Sequence, residues 1–143
     1  MSINRQLQQF QRAYQDDALQ TKVLGATPLE LIVLLYEGAI EALEKAQRAI
    51  ADGNIQLKGV MVNKASDIVE GLRTALNFEK GGDIAHQLDA LYLFAKHQIS
   101  QGHAANDVKA LAAVIGVLRE LLPAWQHIAR EDGAGSEQGK AHA

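Results

Sequence analysis

Apolar residues recur at intervals of three and four through four stretches of this chain, and that spacing constrains it more than any other feature. A run with this period puts its apolar members on one face of an α-helix, and each such face must be buried against another. The first stretch carries Leu29, Ile32, Tyr36, Ile40, Leu43 and Ile50. It begins at Thr27-Pro28-Leu29-Glu30, where Thr27 can cap, Pro28 suits the first helical position and Glu30 can reach back in a capping box. It ends near Asp52, where Gly53 offers a stop. Along it, Glu41 with Lys45 and Glu44 with Arg48 stand four apart, the spacing of ion pairs on a solvated side.

The second stretch covers roughly 55 to 80, with Met61, Ile68, Leu72 and Ala75 on one stripe and Val62, Val69 and Leu76 on a neighbouring one. Gly81-Gly82 reads as the break after it. The third runs from about 83 to 101 through Ile84, Leu88, Leu91, Ala95 and Ile99; Gly102 and Asn106 bracket the next turn. The fourth, about 107 to 130, carries Val108, Leu111, Ile115, Leu118, Leu122 and Trp125, with Pro123 late enough to kink it. Short connections favour antiparallel neighbours, so the predicted fold class is all-α: a mostly antiparallel, up-and-down four-helix bundle over 27–130. An additional N-terminal arm or short helix precedes it, over 1–26 and partly helical. Residues 131–143, EDGAGSEQGKAHA, have nothing to bury and are expected to be disordered.

The arm has a narrow apolar edge of Ile3, Leu7, Phe10 and Tyr14. Three readings stay open for it: a short helix packed permanently on the bundle, a mobile arm covering a groove when no partner is present, and plain disorder.

Composition excludes several classes. Lys and Arg total 14 against 17 Asp and Glu, a net charge of −3, which argues against a nucleic-acid partner or an anionic membrane surface. There is no cysteine, which removes disulfides, thiolate metal sites and Cys nucleophiles. The N-terminus has no hydrophobic signal-peptide core, and no apolar run approaches the length of a membrane span. Membrane insertion is therefore not expected, and the cytoplasm is the expected compartment.

Catalytic and cofactor chemistry finds little support. A bundle di-iron centre needs carboxylates from all four helices and two Glu-x-x-His pairs; the nearest approach is Asp83-x-x-His86, so no metal is expected. The five histidines (86, 97, 103, 127 and 142) show no HExxH spacing. Gly81-Gly82 is no phosphate loop, and no Ser–His–Asp arrangement can be argued. No catalytic residue, enzyme activity or cofactor is expected. The different-class alternative is a histidine phosphotransfer module, with His86 or His97 as the phosphate carrier.

What the chain has in excess is apolar surface. Leu31 to Tyr36 is six residues without a charge or a strong hydrogen-bonding group, and the helix around them needs only one apolar face. Leu31, Leu34 and Leu35 on the first helix and Val62, Val69 and Leu76 on the second exceed one stripe, and something must cover them. Gly38, Gly59, Gly71 and Gly116 lie inside the predicted helices. They fit either close helix approach or the lowered wall of a groove for a partner helix. A structural bundle whose extra stripes form a homodimer satisfies the same pattern.

Three stretches resemble one family, the flagellar secretion chaperone FliS: ATPLELIVLLYEGAI (26–40), VNKASDIVEGLRTALN (62–77) and FEKGGDIAHQLDALYLF (78–94). Fainter matches lie at Asn106-Asp107 and Ala124-Trp125, and together they span about 14 to 128. The resemblance implies a helical bundle that binds the C-terminal segment of newly made flagellin in hydrophobic grooves. It also implies that the client is kept from premature assembly and delivered to the flagellar type III export apparatus. The tyrosine of the family's N-terminal arm corresponds best to Tyr14. The partner-binding residues expected here are Tyr14, Leu31, Leu34, Leu35, Val62, Val69, Leu76 and Tyr92. Flagellar regulators and export-gate components are further partners to consider. Two positions depart from the common pattern: His97-Gln98 stands where many relatives have a basic pair, and Gly102-His103 where they often have Ala-Asn.

Overall fold

The computed structural model describes residues 25–142, with side chains as far as Asp132. Tyr14 and the rest of the arm over 1–24 lie outside the described residues. So do the side chains of most of the predicted 131–143 tail.

Four helices make up the described chain: α1 Pro28–Asp52, α2 Ile55–Thr74, α3 Phe78–Ala105 and α4 Val108–His142. Helix α1 packs on α2 and α4, and α3 packs on the same two, so the four close a ring in chain order. Connections this short return each helix beside the last, which makes neighbours antiparallel. Side chains settle where each helix begins. Thr27 Oγ1 accepts from Glu30 N at 3.2 Å, and Asn54 Oδ1 accepts from Leu57 N at 3.1 Å. Asp107 Oδ1 accepts from Lys109 N at 2.9 Å at the head of α4. Gly53, at φ 71°, ends α1 in the left-handed conformation.

One boundary differs from the sequence reading. The second stretch stops at Thr74 instead of running to about 80, and α3 begins at Phe78 instead of 83. Asn77 is the reason: its Oδ1 accepts from Lys80 N at 3.1 Å and starts a new helix there. Gly82 then becomes a kink inside α3, at φ 52° and ψ −126°, a backbone conformation that favours glycine. Pro123 lies inside α4 and does not end it.

The core runs through all four helices, with Leu35, Leu43, Ile68, Ile99, Leu111 and Leu118 among its fully enclosed members. At the end of the bundle where α1 begins, two phenols meet in it. Tyr36 and Tyr92 share a hydrogen bond of 2.6 Å between their hydroxyls, with rings edge to face at 6.4 Å between centroids. Burial pushes both phenol pKa values up; for Tyr36, hydrogen bonding to Tyr92 and Trp125 partly offsets this. At the other end Lys58 is buried at the head of α2 and donates to Asn106 Oδ1 at 2.6 Å and His103 O at 3.2 Å, tying α2 to the close of α3. Glu41 pairs with Lys45 at 2.9 Å, whereas Glu44 pairs across the bundle with Arg119 of α4.

The helical glycines divide. Gly38 and Gly71 are buried, while a Cβ on Gly59 or Gly116 would meet nothing within 4 Å. The last two are therefore not held to glycine by a close neighbour. Gly116→Ala is expected to raise stability by about 0.5–1 kcal/mol, because alanine fits the helix without strain. Thermal melting checks this, and an unchanged or lower midpoint would contradict it.

Candidate functional site

The end of the bundle where α1 and α3 begin carries two depressions, one on each side of the first turns of α1. The more apolar one, which we call the end groove, has a volume of about 410 Å³. All four helices build it. Leu29 and Ile32 come from α1, Leu72 and Leu76 from α2 and the turn after it, Ile84, Leu88 and Tyr92 from α3, and Trp125 from α4. The kink at Gly82 lies within the wall that α3 contributes, with Lys80 and Gly81 before it and Ile84 and Ala85 after it. Across the kink the rings of Phe78 and His86 stack at 4.6 Å between centroids. Ile84 is 67% exposed, a large aliphatic side chain left in water at the groove's edge.

The second depression, about 520 Å³, lies between α1 and the late part of α4 and is lined by Glu30, Val33, Leu34, Gln126, Ala129 and Arg130. The chain enters it at Gly25 and Ala26.

The expected partner-binding residues are distributed unevenly over these surfaces. Leu76 lines the end groove, and Tyr92, 1% exposed, lies in its floor. Leu34 lines the second depression, and Leu31 is half-buried against the edge of the core. Leu35, Val62 and Val69 are in the core, with exposures of 0%, 4% and 0%, and present no surface to a partner in this conformation. Periodicity could not separate them from groove residues, because adjacent stripes on α1 and α2 both satisfy it. The end groove instead uses Ile84 and Leu88, which read as the core stripe of the third stretch. The available signal was their position next to Gly81-Gly82, at a helix end where a stripe runs out of neighbours.

Among the described residues no group of three or more His, Asp or Glu could hold a metal ion. His86 and His97 are exposed, and His86 is engaged with Phe78. No described helix is long and apolar enough to cross a membrane. Glu70 closes the outer α2–α3 seam with Arg73 at 3.2 Å and Lys96 at 3.1 Å. Burial alone would raise its pKa, and those two cations hold the carboxyl below the usual range.

Among the described residues, then, the chain is a helical bundle with an open apolar groove at one end, a form suited to binding apolar segments. The comparisons make this specific. The family model described as Flagellar protein FliS matches residues 10–132, and the chain belongs to that family. It is 40% identical over 120 residues to the flagellar secretion chaperone FliS of Vibrio cholerae, covering 84% of this chain and 88% of that one. Similarity to the flagellar secretion chaperone FliS of Salmonella typhimurium is 35% over 118 residues, covering 82% and 87%. That of Bacillus subtilis is 29% identical over 127 residues, covering 87% and 91%.

Proposed function

We propose that this protein is a cytoplasmic export chaperone for flagellin that holds the client's C-terminal segment in the end groove. It thereby blocks premature polymerisation and keeps the subunit ready for the flagellar type III export apparatus. The observation that carries the reading is the end groove itself, an aliphatic and aromatic surface shared by four helices and open among the described residues, in a chain of the FliS family. An unstructured segment with amphipathic potential gains enough there to offset the cost of its ordering, by burying its own apolar face as a helix. Leu76, Ile84, Leu88 and Trp125 would contact it above the buried Tyr92, and Leu34 offers a second foothold around α1. The N-terminal arm with Tyr14 is the natural competitor for one of these surfaces, since the chain emerges at the second depression.

Calorimetric titration with the last ~40 residues of flagellin from the same organism tests the reading, a length set by the surface that coupled folding usually buries. One-to-one binding, a negative heat-capacity change and new helical signal are expected. A folded bundle that gives no heat with this segment, and the same trace with a scrambled one, would refute it.

A further inference from the structure

The end groove carries a charge imbalance with a single source. Its walls are aliphatic and aromatic, and most of its polar groups are already engaged. The Tyr92 hydroxyl is bonded to Tyr36 at 2.6 Å. Asn77 Oδ1 is occupied by Lys80 N, which leaves the Asn77 amide to act as a donor. What remains is the ammonium of Lys80, exposed at the rim, with no carboxylate within 4.0 Å among the described residues.

Neighbouring cations are matched where Lys80 is not. Arg73 Nε meets Asp89 at 2.8 Å, and Lys96 meets Glu70 at 3.1 Å. Glu79 and Asp83 flank Lys80 closely in sequence, yet neither lines the groove and neither pairs with it. The depression on the far side of α1 carries one charge of each sign, Glu30 and Arg130. Of these two depressions, the end groove is the one whose described lining carries a cation and no carboxylate.

We propose that the segment seated in this groove carries a carboxylate placed against Lys80, and that this contact fixes which apolar segment binds and in which direction it lies. The inference rests on the reading of the groove as the flagellin site. Apolar burial supplies the affinity there, but it is indifferent to register. A charge-assisted hydrogen bond at one end of the groove is not. A segment presenting lysine at that point meets like charge and is rejected. The carboxylate can come from an Asp or Glu side chain or from the free C-terminus of the client.

The test titrates the ~40-residue flagellin segment against the wild-type chain, Lys80→Met and Lys80→Glu. Salt is ~50 mM and then ~500 mM, which screens a rim charge but spares apolar burial. Circular dichroism confirms that all three are folded. Lys80→Glu is expected to weaken binding about tenfold at low salt, equivalent to about 1.4 kcal/mol. Lys80→Met keeps the apolar stem and should lose less, and both differences should shrink at high salt. The measurement is repeated with a C-terminally amidated segment and with one whose Asp and Glu are changed to Asn and Gln. Whichever abolishes the dependence on Lys80 identifies the source of the carboxylate. Equal affinity of wild type and Lys80→Glu overturns this inference and leaves the chaperone reading intact. Dependence on Lys80 that survives both neutralised segments also overturns it. If the wild-type chain does not bind the segment at all, the chaperone reading fails and this inference fails with it.

Discussion

Ile84→Asp is expected to weaken capture of the flagellin segment on the order of a hundredfold while leaving the free bundle as stable as before. The asymmetry follows from where Ile84 sits. At 67% exposed it contributes little to the fold, so stability should change by less than about 0.5 kcal/mol. In the complex, a seated segment would cover it. Aspartate forfeits that apolar burial, worth about 1.5–3 kcal/mol, and puts a charge where the occupant removes its water. It also lines the same groove as Lys80, so it offers that ammonium an internal partner and competes with the client's carboxylate. The pair of measurements is a denaturant melt and a titration. A melt that stays put with affinity lost supports the groove; affinity within threefold of wild type would move the binding surface elsewhere.

The same residue explains what could and could not be read before folding. Spacing of three and four identified four helices, and Thr27-Pro28, Gly53 and Asn106 marked ends that the structure keeps. These signals are local, since a cap acts within one turn and its residue types say so. The Asn77 cap was equally local but was masked by the louder Gly81-Gly82, which turned out to form a kink. Groove and core, by contrast, are distinguished by which neighbour a stripe meets. Val62 and Val69 lie on α2, and the same spacing carried on to Leu76 reaches the turn after it; the first two face helices, and the third is half-buried in the end groove. Nothing in a single helix's pattern encodes that difference. Glu44 makes the same point for charge, because it passes over Arg48 on its own helix to reach Arg119. Lys80 was invisible for a related reason: an unpaired lysine is meaningful only once the groove beside it is known.

The stretch LIVLLY, apolar on every side, allows the sharpest separation of stability from binding. Leu35→Ala is expected to cost about 3 kcal/mol, the usual penalty for a cavity at a fully enclosed leucine, and to lower the melting midpoint by about 10 °C. Its effect on flagellin affinity, measured well below that midpoint, should stay within about twofold, because Leu35 is 0% exposed and lines neither depression. Ile32 and Leu34 stand three and one positions earlier and behave differently. Each is half-buried, and they open onto opposite sides of α1, Ile32 into the end groove and Leu34 into the depression beside α4. Truncating either to alanine leaves a smaller cavity, or none, so stability should fall by no more than about 1.5 kcal/mol. Affinity should fall for Ile32→Ala, and also for Leu34→Ala where the client reaches around α1 to the second depression. If Leu35→Ala instead lost affinity at full stability, α1 would have to rotate on binding and bring a core stripe to the surface. If neither Ile32→Ala nor Leu34→Ala changed affinity, the extra apolar faces of α1 would serve the fold alone. The helix needs no uniform role for its six apolar residues, because its first turns border three surfaces at once.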